Sequence, residues 1–578
     1  MKSKPHRDGK FKIKQDGIWF EDSGDTPERI APYIEKIADL TSSKGWQTLI
    51  KFENRRGEIC TLTPPRSEVR KRQILRDLLT DQGYDWPPTG SERETLLTRF
   101  LADEPGKQIA IVEKTGWYKN DTFVSLDSAI GPKADNVRYR EVGYAPEIPN
   151  IRGSRKIWRR VVSDIVPCSA SAMLALGTPF GAPFHQILRI ESGGFNLFGP
   201  PGKGKTSCAV AAVSVFGPSG RENLQTWDAS PAALDEMRSE HSDMLVYLDD
   251  TGRAGKSDHQ RIDTLSDGIF RLTTGLARRR SKRFKVDLGL GSSWLALLST
   301  SVRSIRDISL AADSHVFGGE EVRLIDVPAV ASEKLGIFEK CPEKYENTAA
   351  AVYALEKACA ANYGVAGREY ISKIVADKAA STEFVRKMVD RFLKHVGVED
   401  SSESRYAKRF GLAYAGLKLA EKHGVIRLPK NSAWKAINLC YRRAREVAPS
   451  YPRMVAQASS NLRKALLELD GIIDLSRNGR TTTKAKFADC RGILLDYAKH
   501  GLVYAVKLEE LGALSGTPLT SRQVMDRLKE RGLLIQVKGG KATIPISVPG
   551  IGKADRQRLV CIKTRELKAQ TPDGSDDD

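Results

Sequence analysis

The chain predicts an α/β fold organised around a parallel sheet, and three observations carry that expectation. Residues 199–206 read Gly-Pro-Pro-Gly-Lys-Gly-Lys-Thr, the G-x-x-x-x-G-K-[ST] pattern of a phosphate-cradling turn between a strand and a helix. From about 185 to 330, short apolar runs alternate with helical segments: Phe195-Asn-Leu-Phe, Met244-Leu-Val-Tyr-Leu, Trp294-Leu-Ala-Leu-Leu and Val322-Arg-Leu-Ile-Asp-Val. Such runs, lacking in-and-out alternation, suit strands buried on both faces. One of them closes on Asp249-Asp250, which delivers carboxylates to the sheet edge where ligands sit in open α/β folds.

Taken in order, the first 150 residues read as a separate α+β domain. Thr26 to Asp39 has helical spacing behind a Thr-Pro-Glu start, and Gln47-Thr-Leu-Ile-Lys-Phe and Glu58-Ile-Cys-Thr-Leu flank an Asn-Arg-Arg-Gly turn as a hairpin. A helix is expected over about 67–82. The run Tyr144-Ala-Pro-Glu-Ile-Pro-Asn-Ile-Arg-Gly marks a boundary. Residues 151–345 form the nucleotide-type core. Residues 346–450 turn helical, with periodic segments near 345–363, 382–396 and 402–423, and 451–578 form a last module ending in an acidic tail.

Composition bounds the function. The 578 residues exceed one hydrophobic core, and 40% hydrophobic usage excludes wholesale disorder. Lys+Arg 92 against Asp+Glu 72 gives +20, which fits a polyanionic partner such as nucleic acid. No stretch approaches a membrane span, and the start carries no secretory pattern. The eight cysteines form no Cys-x-x-Cys pair, so zinc is not expected and a reducing, cytoplasmic setting is.

The phosphate turn needs its residue types. Gly199, Gly202 and Gly204, with Pro200, Pro201 and Lys203 between them, let backbone N–H groups approach phosphates, and the helix behind adds its positive end through Ser207 onward. Lys205 would reach the β/γ oxygens of ATP and Thr206 would offer its hydroxyl to Mg²⁺. Asp249 would hold the same ion through its shell, and Asp250 would orient or deprotonate the attacking water. The strand from Trp294 to Leu298 ends in Ser299-Thr300-Ser301, where a hydroxyl of Ser299 or Thr300 could also place that water. Arg323 stands before Leu324-Ile-Asp-Val-Pro, and Arg405 and Arg409 share a helix face.

Two segments are candidates for DNA. Arg278, Arg279, Arg280, Lys282, Arg283 and Lys285 place six cations in eight residues between two core strands, able to grip phosphates without reading sequence. Near the C-terminus, Leu519-Thr-Ser-Arg-Gln-Val-Met-Asp-Arg-Leu-Lys-Glu-Arg-Gly carries an N-cap, helical periodicity and a Gly stop. The basic Gln536-Val-Lys-Gly-Gly-Lys-Ala-Thr-Ile follows, a helix-plus-wing pattern.

Assembled, these residues resemble domain-of-unknown-function family 927, attached to helicases of phages, plasmids and the staphylococcal cassette chromosome. The marks run from about Gly17 to Val447. They are Lys114-Thr-Gly-Trp-Tyr with Phe123-Val-Ser-Leu; Ser192-Gly-Gly-Phe-Asn-Leu-Phe-Gly; Thr226-Trp-Asp-Ala-Ser; Gly275-Leu-Ala-Arg-Arg; Gly319-Glu-Glu-Val-Arg-Leu-Ile-Asp-Val-Pro; and Arg405-Tyr-Ala-Lys-Arg-Phe-Gly-Leu-Ala-Tyr-Ala-Gly. The cassette helicases resemble minichromosome-maintenance ring ATPases of the AAA+ class. The resemblance therefore implies an AAA+ parallel sheet with a helical lid and a winged-helix-like C-terminal module. It also implies a homo-hexamer hydrolysing ATP between neighbours, with Arg323 as the finger, Arg405 as a lid sensor touching nucleotide, and the segment from Arg278 to Lys285 as a pore hairpin. Relatives show Asp-Glu where this chain has Asp249-Asp250, which retracts the second carboxylate by one methylene.

The expected function is an ATP-dependent, DNA-translocating ring motor acting on single-stranded or forked DNA, the replicative helicase of a mobile element. The rivals are a DNA-stimulated ATPase that works as initiator, remodeller or defence switch without unwinding, and a DNA-binding scaffold with a weakly hydrolysing nucleotide site.

Overall fold

Pro32 decides how the described chain begins. The helical spacing over 26–39 is not a helix: Glu28–Ala31 and Ile34–Ser42 are strands. Proline inside a helix forfeits a hydrogen bond and clashes with the preceding turn. The misleading period has its own cause, because a bulge between Lys36 and Ala38 shifts the strand's register against Gly45–Glu53. That extra residue brings Ile34, Ala38 and Leu40 to the buried side, an i, i+4 spacing that imitates a helix.

The structure, a computed structural model, describes residues 10–22, 26–42, 45–139, 149–274, 293–312, 320–398, 401–447, 451–477, 479–497, 500–517, 519–535, 543–552 and 556–564. It divides into two compact units, Met1–Val447 and Ala448–Asp578. The first opens with an antiparallel three-stranded sheet of Lys10–Lys14, Gly17–Glu21 and Glu28–Ala31, followed by a mixed five-stranded sheet in the order Val137–Tyr139, Lys107–Val112, Ile34–Ser42, Gly45–Glu53, Ile59–Leu62. The expected hairpin is there, its turn closed by Asn54 Oδ1 accepting from Arg56 N and Glu58 N. Helix 67–82 is broken into Arg66–Val69 and Arg72–Asp81.

A further, four-stranded sheet of this unit is wholly parallel. Its strands are β1 (Gly193–Phe198), β2 (Leu245–Leu248), β3 (Ala296–Ser301) and β4 (Leu324–Pro328), in the order β2-β3-β1-β4. Each central strand is buried along almost its whole length, as its apolar composition requires. One face is covered by the fully buried helix α1 (Ala170–Gly181), by α2 (Lys205–Val213) and by α4 (Ser401–Lys422); the other carries α3 (Asp258–Thr273) and Trp227. The third strand runs later than the sequence suggests, so Ser299, Thr300 and Ser301 lie within it rather than in a turn beyond it.

The helices between Thr348 and Val447 pack into the same core as this sheet, with Phe410 of α4 against Phe195 of β1 at 4.7 Å between ring centres. Small residues let α1 and α4 touch closely. A Cβ on Gly416 would lie 2.5 Å from the Gly181 nitrogen, and one on Gly177 2.6 Å from the Ala413 carbonyl oxygen.

The second unit is a five-stranded sheet in the order Ile472–Asp474, Gly492–Asp496, Leu502–Val506, Gln557–Lys563, Thr543–Ile546. Helices Glu510–Ser515 and Ser521–Glu530 precede the last two strands, the second opened by a capping box of Thr520 and Gln523. Residues 536–542 of the expected basic hairpin lie outside the described residues, and Thr543–Ile546 pairs with Gln557–Lys563. Among the described residues no helix is long and apolar enough to cross a membrane.

Candidate functional site

The C-terminal ends of the parallel strands meet at one edge. β1 leads into the glycine turn, whose backbone adopts φ +72° at Gly202 and +94° at Gly204, conformations that glycine reaches without strain. A side chain at Gly202 would meet nothing within 4 Å, so the mouth of the turn is open. Gly204 caps α2, which therefore points its N-terminal N–H groups into the turn. The Lys205 ammonium is largely buried and donates to the carbonyls of Gly199 at 2.7 Å and Pro200 at 2.6 Å. Burial lowers its pKa, and the charges of Asp249 and Asp250 pull it back up. The two aspartates thus lie within electrostatic reach of the lysine.

Register explains why. Leu197 of β1 lies opposite Thr300 of β3, and Leu248 of β2 lies opposite Ser299, so Asp249 emerges level with Thr300. Two strand spacings, about 10 Å, separate β1 from β2. Asp249 is held in place: Tyr247 donates to its Oδ1 at 2.7 Å and Thr300 donates to the same oxygen. The Tyr247 and Thr300 hydroxyl oxygens lie 2.9 Å apart, both gathered on that carboxylate. Burial first, and then Asp249, drive the Tyr247 phenol well above its ordinary value, so it remains a donor. Period-two geometry could have revealed Tyr247, since residues two apart share a strand face. Among the described groups, the Thr206 hydroxyl at the start of α2 and the Asp249 carboxylate are suited to a hard divalent ion, and the open glycine turn fits a phosphate chain.

Several expected residues are placed otherwise. Ser299 is fully buried on the opposite face, where it accepts from Trp227 Nε1 at 2.9 Å, so it is not a water ligand at this edge. Ser207 turns its hydroxyl to Glu356 at 2.6 Å, and Glu356 is bridged by Arg221. Lys203 pairs with Glu333 at 2.9 Å. Asp250 has a left-handed backbone, φ +54°, and its carboxylate accepts from Gly252 N at 3.0 Å, capping the turn Thr251–Ala254.

The arginines lie at the other end of the sheet. Arg323 closes the helical turn Glu320–Arg323 and stacks over Phe270 of α3 at 4.6 Å. Arg405 pairs with Glu191 at 3.8 Å, just before β1, and the buried Arg409 donates to Ser192 O. Burial lowers Arg409 to about 10, with Arg323 and Arg405 adding repulsion. The length of β1, about 17 Å, therefore stands between Arg405 and the glycine turn of its own chain. Arg405, expected as a lid sensor touching nucleotide, is thus set apart from the glycine turn of its own chain. Residues Arg278, Arg279, Arg280, Lys282, Arg283 and Lys285 lie outside the described residues.

The Lys114-Thr-Gly-Trp-Tyr stretch docks where β2 begins. Thr115 bonds the Glu240 carbonyl at 2.8 Å, Trp117 N donates to Asp243 at 3.0 Å, and Gly116 has a φ of +92° with no room for a side chain beside Asp243. Burial pushes the Asp243 carboxyl up to about 7, against the Trp117 bond and the charges of Lys114 and Lys378. Its folded value lies above the ordinary one, so the native state binds the extra proton. The stability this gives is complete below the unfolded pKa and is lost as pH rises through about 7. Thermal unfolding should therefore occur several degrees lower at about pH 8.5 than at about pH 5.5, and Asp243→Asn should flatten that difference. A wild-type melt indifferent to pH over this window would refute the assignment.

Residues 11–284 match the family described as Domain of unknown function (DUF927). That segment is similar to DUF927. It contains the glycine turn, Asp249 and the Trp117 docking stretch, and ends short of the 447 expected from the sequence. No curated protein matches the chain. In fold, the chain resembles the solved structure of SCCmec type IV Cch, described as an active helicase, over 96% of this chain and 98% of that one, at 15% identity and a TM-score of 0.60. The A-form apo structure of the NrS-1 C-terminal region also matches, over 71% and 92%, at 12% identity and a TM-score of 0.25, too low to bear on the fold. The matched segment thus supplies two of the four strands of the parallel sheet, β1 and β2, since β3 and β4 follow it.

Proposed function

We propose that the chain is an ATP-driven motor that moves along single-stranded or forked DNA, working as a homo-hexameric AAA+ helicase of a phage, plasmid or other mobile element. The observation that carries this reading is the meeting of Lys205 and Asp249 at one edge of the parallel sheet. The likeness in fold to a protein described as an active helicase supports it.

In this reading Gly199 to Thr206 wrap the phosphates of ATP. Lys205 balances the charge on the β/γ oxygens, and Thr206 and Asp249 hold Mg²⁺, which when bound neutralises developing charge on the phosphoryl group. Tyr247 and Thr300 keep Asp249 aimed by donating to one of its oxygens. Asp250 takes the proton of the attacking water. Arg323 and Arg405, at the far end of the sheet, serve a neighbouring subunit's nucleotide. The segment from Arg278 to Lys285 holds DNA phosphates.

Phosphate release measured with and without single-stranded DNA tests this, followed by strand release from a forked duplex. DNA-stimulated turnover and release that both need Lys205 are the expected results. Turnover without release sustains the initiator or remodeller.

The weakly hydrolysing scaffold has one observation of its own, the engagement of Asp250 with Gly252 N. Asp250→Asn separates the two roles, because the amide oxygen can still cap the turn but cannot accept a proton. A fall in kcat of about 10²-fold with unchanged nucleotide affinity is expected of a base. Unchanged kcat would make Asp250 a cap only.

A further inference from the structure

Beside the helix Arg155–Ile165 runs a groove of about 590 Å³ walled by Lys156, Arg159, Arg160, Lys344 and Arg427, with Asp164 the one acidic residue among its lining. Asp164 is already paired with Lys344 at 2.7 Å, and Arg159 donates to the Gly424 carbonyl at 2.9 Å. Lys156, Arg160 and Arg427 are exposed, and none is paired with a carboxylate among the described residues. Lys156 and Arg160 sit four apart on one helix, a like-charge spacing that works against the helix. The walls are preformed. Arg427 N–H donates to Ser163 Oγ at 3.0 Å, and together with the Arg159 bond this pins the 424–429 loop to the helix.

We infer that this groove binds the phosphate backbone of nucleic acid, as a second contact apart from the nucleotide turn and from Arg278 to Lys285. Cations spread along a rigid channel, rather than gathered at a point, match charges repeated along a strand. No aromatic ring lines the groove, so bases have no surface to stack on, and the contact is with phosphates and indifferent to sequence. An acidic polypeptide is the other polyanion. The chain's net +20 and the proposed motor favour DNA, and the inference rests on that reading for its partner.

The test is the full chain carrying Lys156→Gln, Arg160→Gln and Arg427→Gln together. Binding of labelled single-stranded and duplex DNA of mixed sequence is followed by anisotropy over a range of salt, beside binding of a fluorescent ATP analogue. Affinity for DNA should fall at least tenfold, and the slope of log affinity against log salt should drop by about 2 on single strands, at about 0.7 per lost contact. Nucleotide binding should not change. A charge-conserving Arg160→Lys/Arg427→Lys variant should keep the slope, which separates charge from folding. If the triple variant binds DNA like the wild type, the groove is not a nucleic-acid site and the motor reading is untouched. If the wild type itself does not bind DNA, both fall.

Discussion

Lys205→Ala is expected to lower ATP hydrolysis by about 10²- to 10³-fold, the size of effect seen when one preorganised charge-stabilising donor is removed. The ammonium sits in the glycine turn at the start of α2, and burial lowers its pKa against the charges of Asp249 and Asp250. Among the described residues, the nearby cations are committed elsewhere, Lys203 to Glu333 and Arg221 to Glu356. The fold should survive. The two carbonyls that Lys205 serves belong to Gly199 and Pro200, at the open rim of the turn, where water can replace the donor. Phosphate release at saturating ATP, read beside a thermal melt, checks both halves. Turnover within threefold of wild type would remove the turn from the chemistry.

Gly194→Ala is expected to cost the first unit its fold. A Cβ there would stand 1.6 Å from the carbonyl oxygen of Leu297 and 2.6 Å from its carbon, on the strand hydrogen bonded beside it. A flexible side chain could move aside, but a backbone carbonyl inside a parallel ladder cannot without breaking the ladder. The penalty should exceed the ~1–3 kcal/mol of ordinary overpacking, a large share of the ~5–15 kcal/mol that holds a domain together. Gly397→Ala is the contrast. Its φ is +63° but nothing lies within 4 Å, so it should cost only the left-handed penalty of about 1–2 kcal/mol. Soluble yield and melting temperature of the two variants decide the matter; a Gly194→Ala chain as stable as Gly397→Ala would mean that β1 and β3 do not approach as described.

The glycine turn, the strand–turn–helix around it and the acid-ended strand were readable from residue order, because each is a local arrangement: glycines for close approach, an apolar run for a buried strand, a carboxylate at its end. The helices near 348–361, 378–396 and 401–422 were equally plain, their period carried by many residues. Reading failed where tertiary contact overrode local pattern. Ile34, Ala38 and Leu40 imitate a helix because of a bulge, and bulges answer to the partner strand. Ser299 and Thr300 are neighbours with the same chemistry, yet β3 turns one to Trp227 and the other to Asp249. Arg405 and Lys205 both carry charge suited to phosphate, but β1 sets them at opposite ends of the sheet.

What the order of residues determined alone is the set of groups available: a glycine-rich turn closed by a lysine and a threonine, a strand ending in two acids, and a net charge of +20. What the tertiary structure alone decided is which of those groups can act together. Strand register is a property of pairs of strands distant in sequence, so it was the alignment of β1, β2 and β3 that set Tyr247 and Thr300 on Asp249 and turned Ser299 inward.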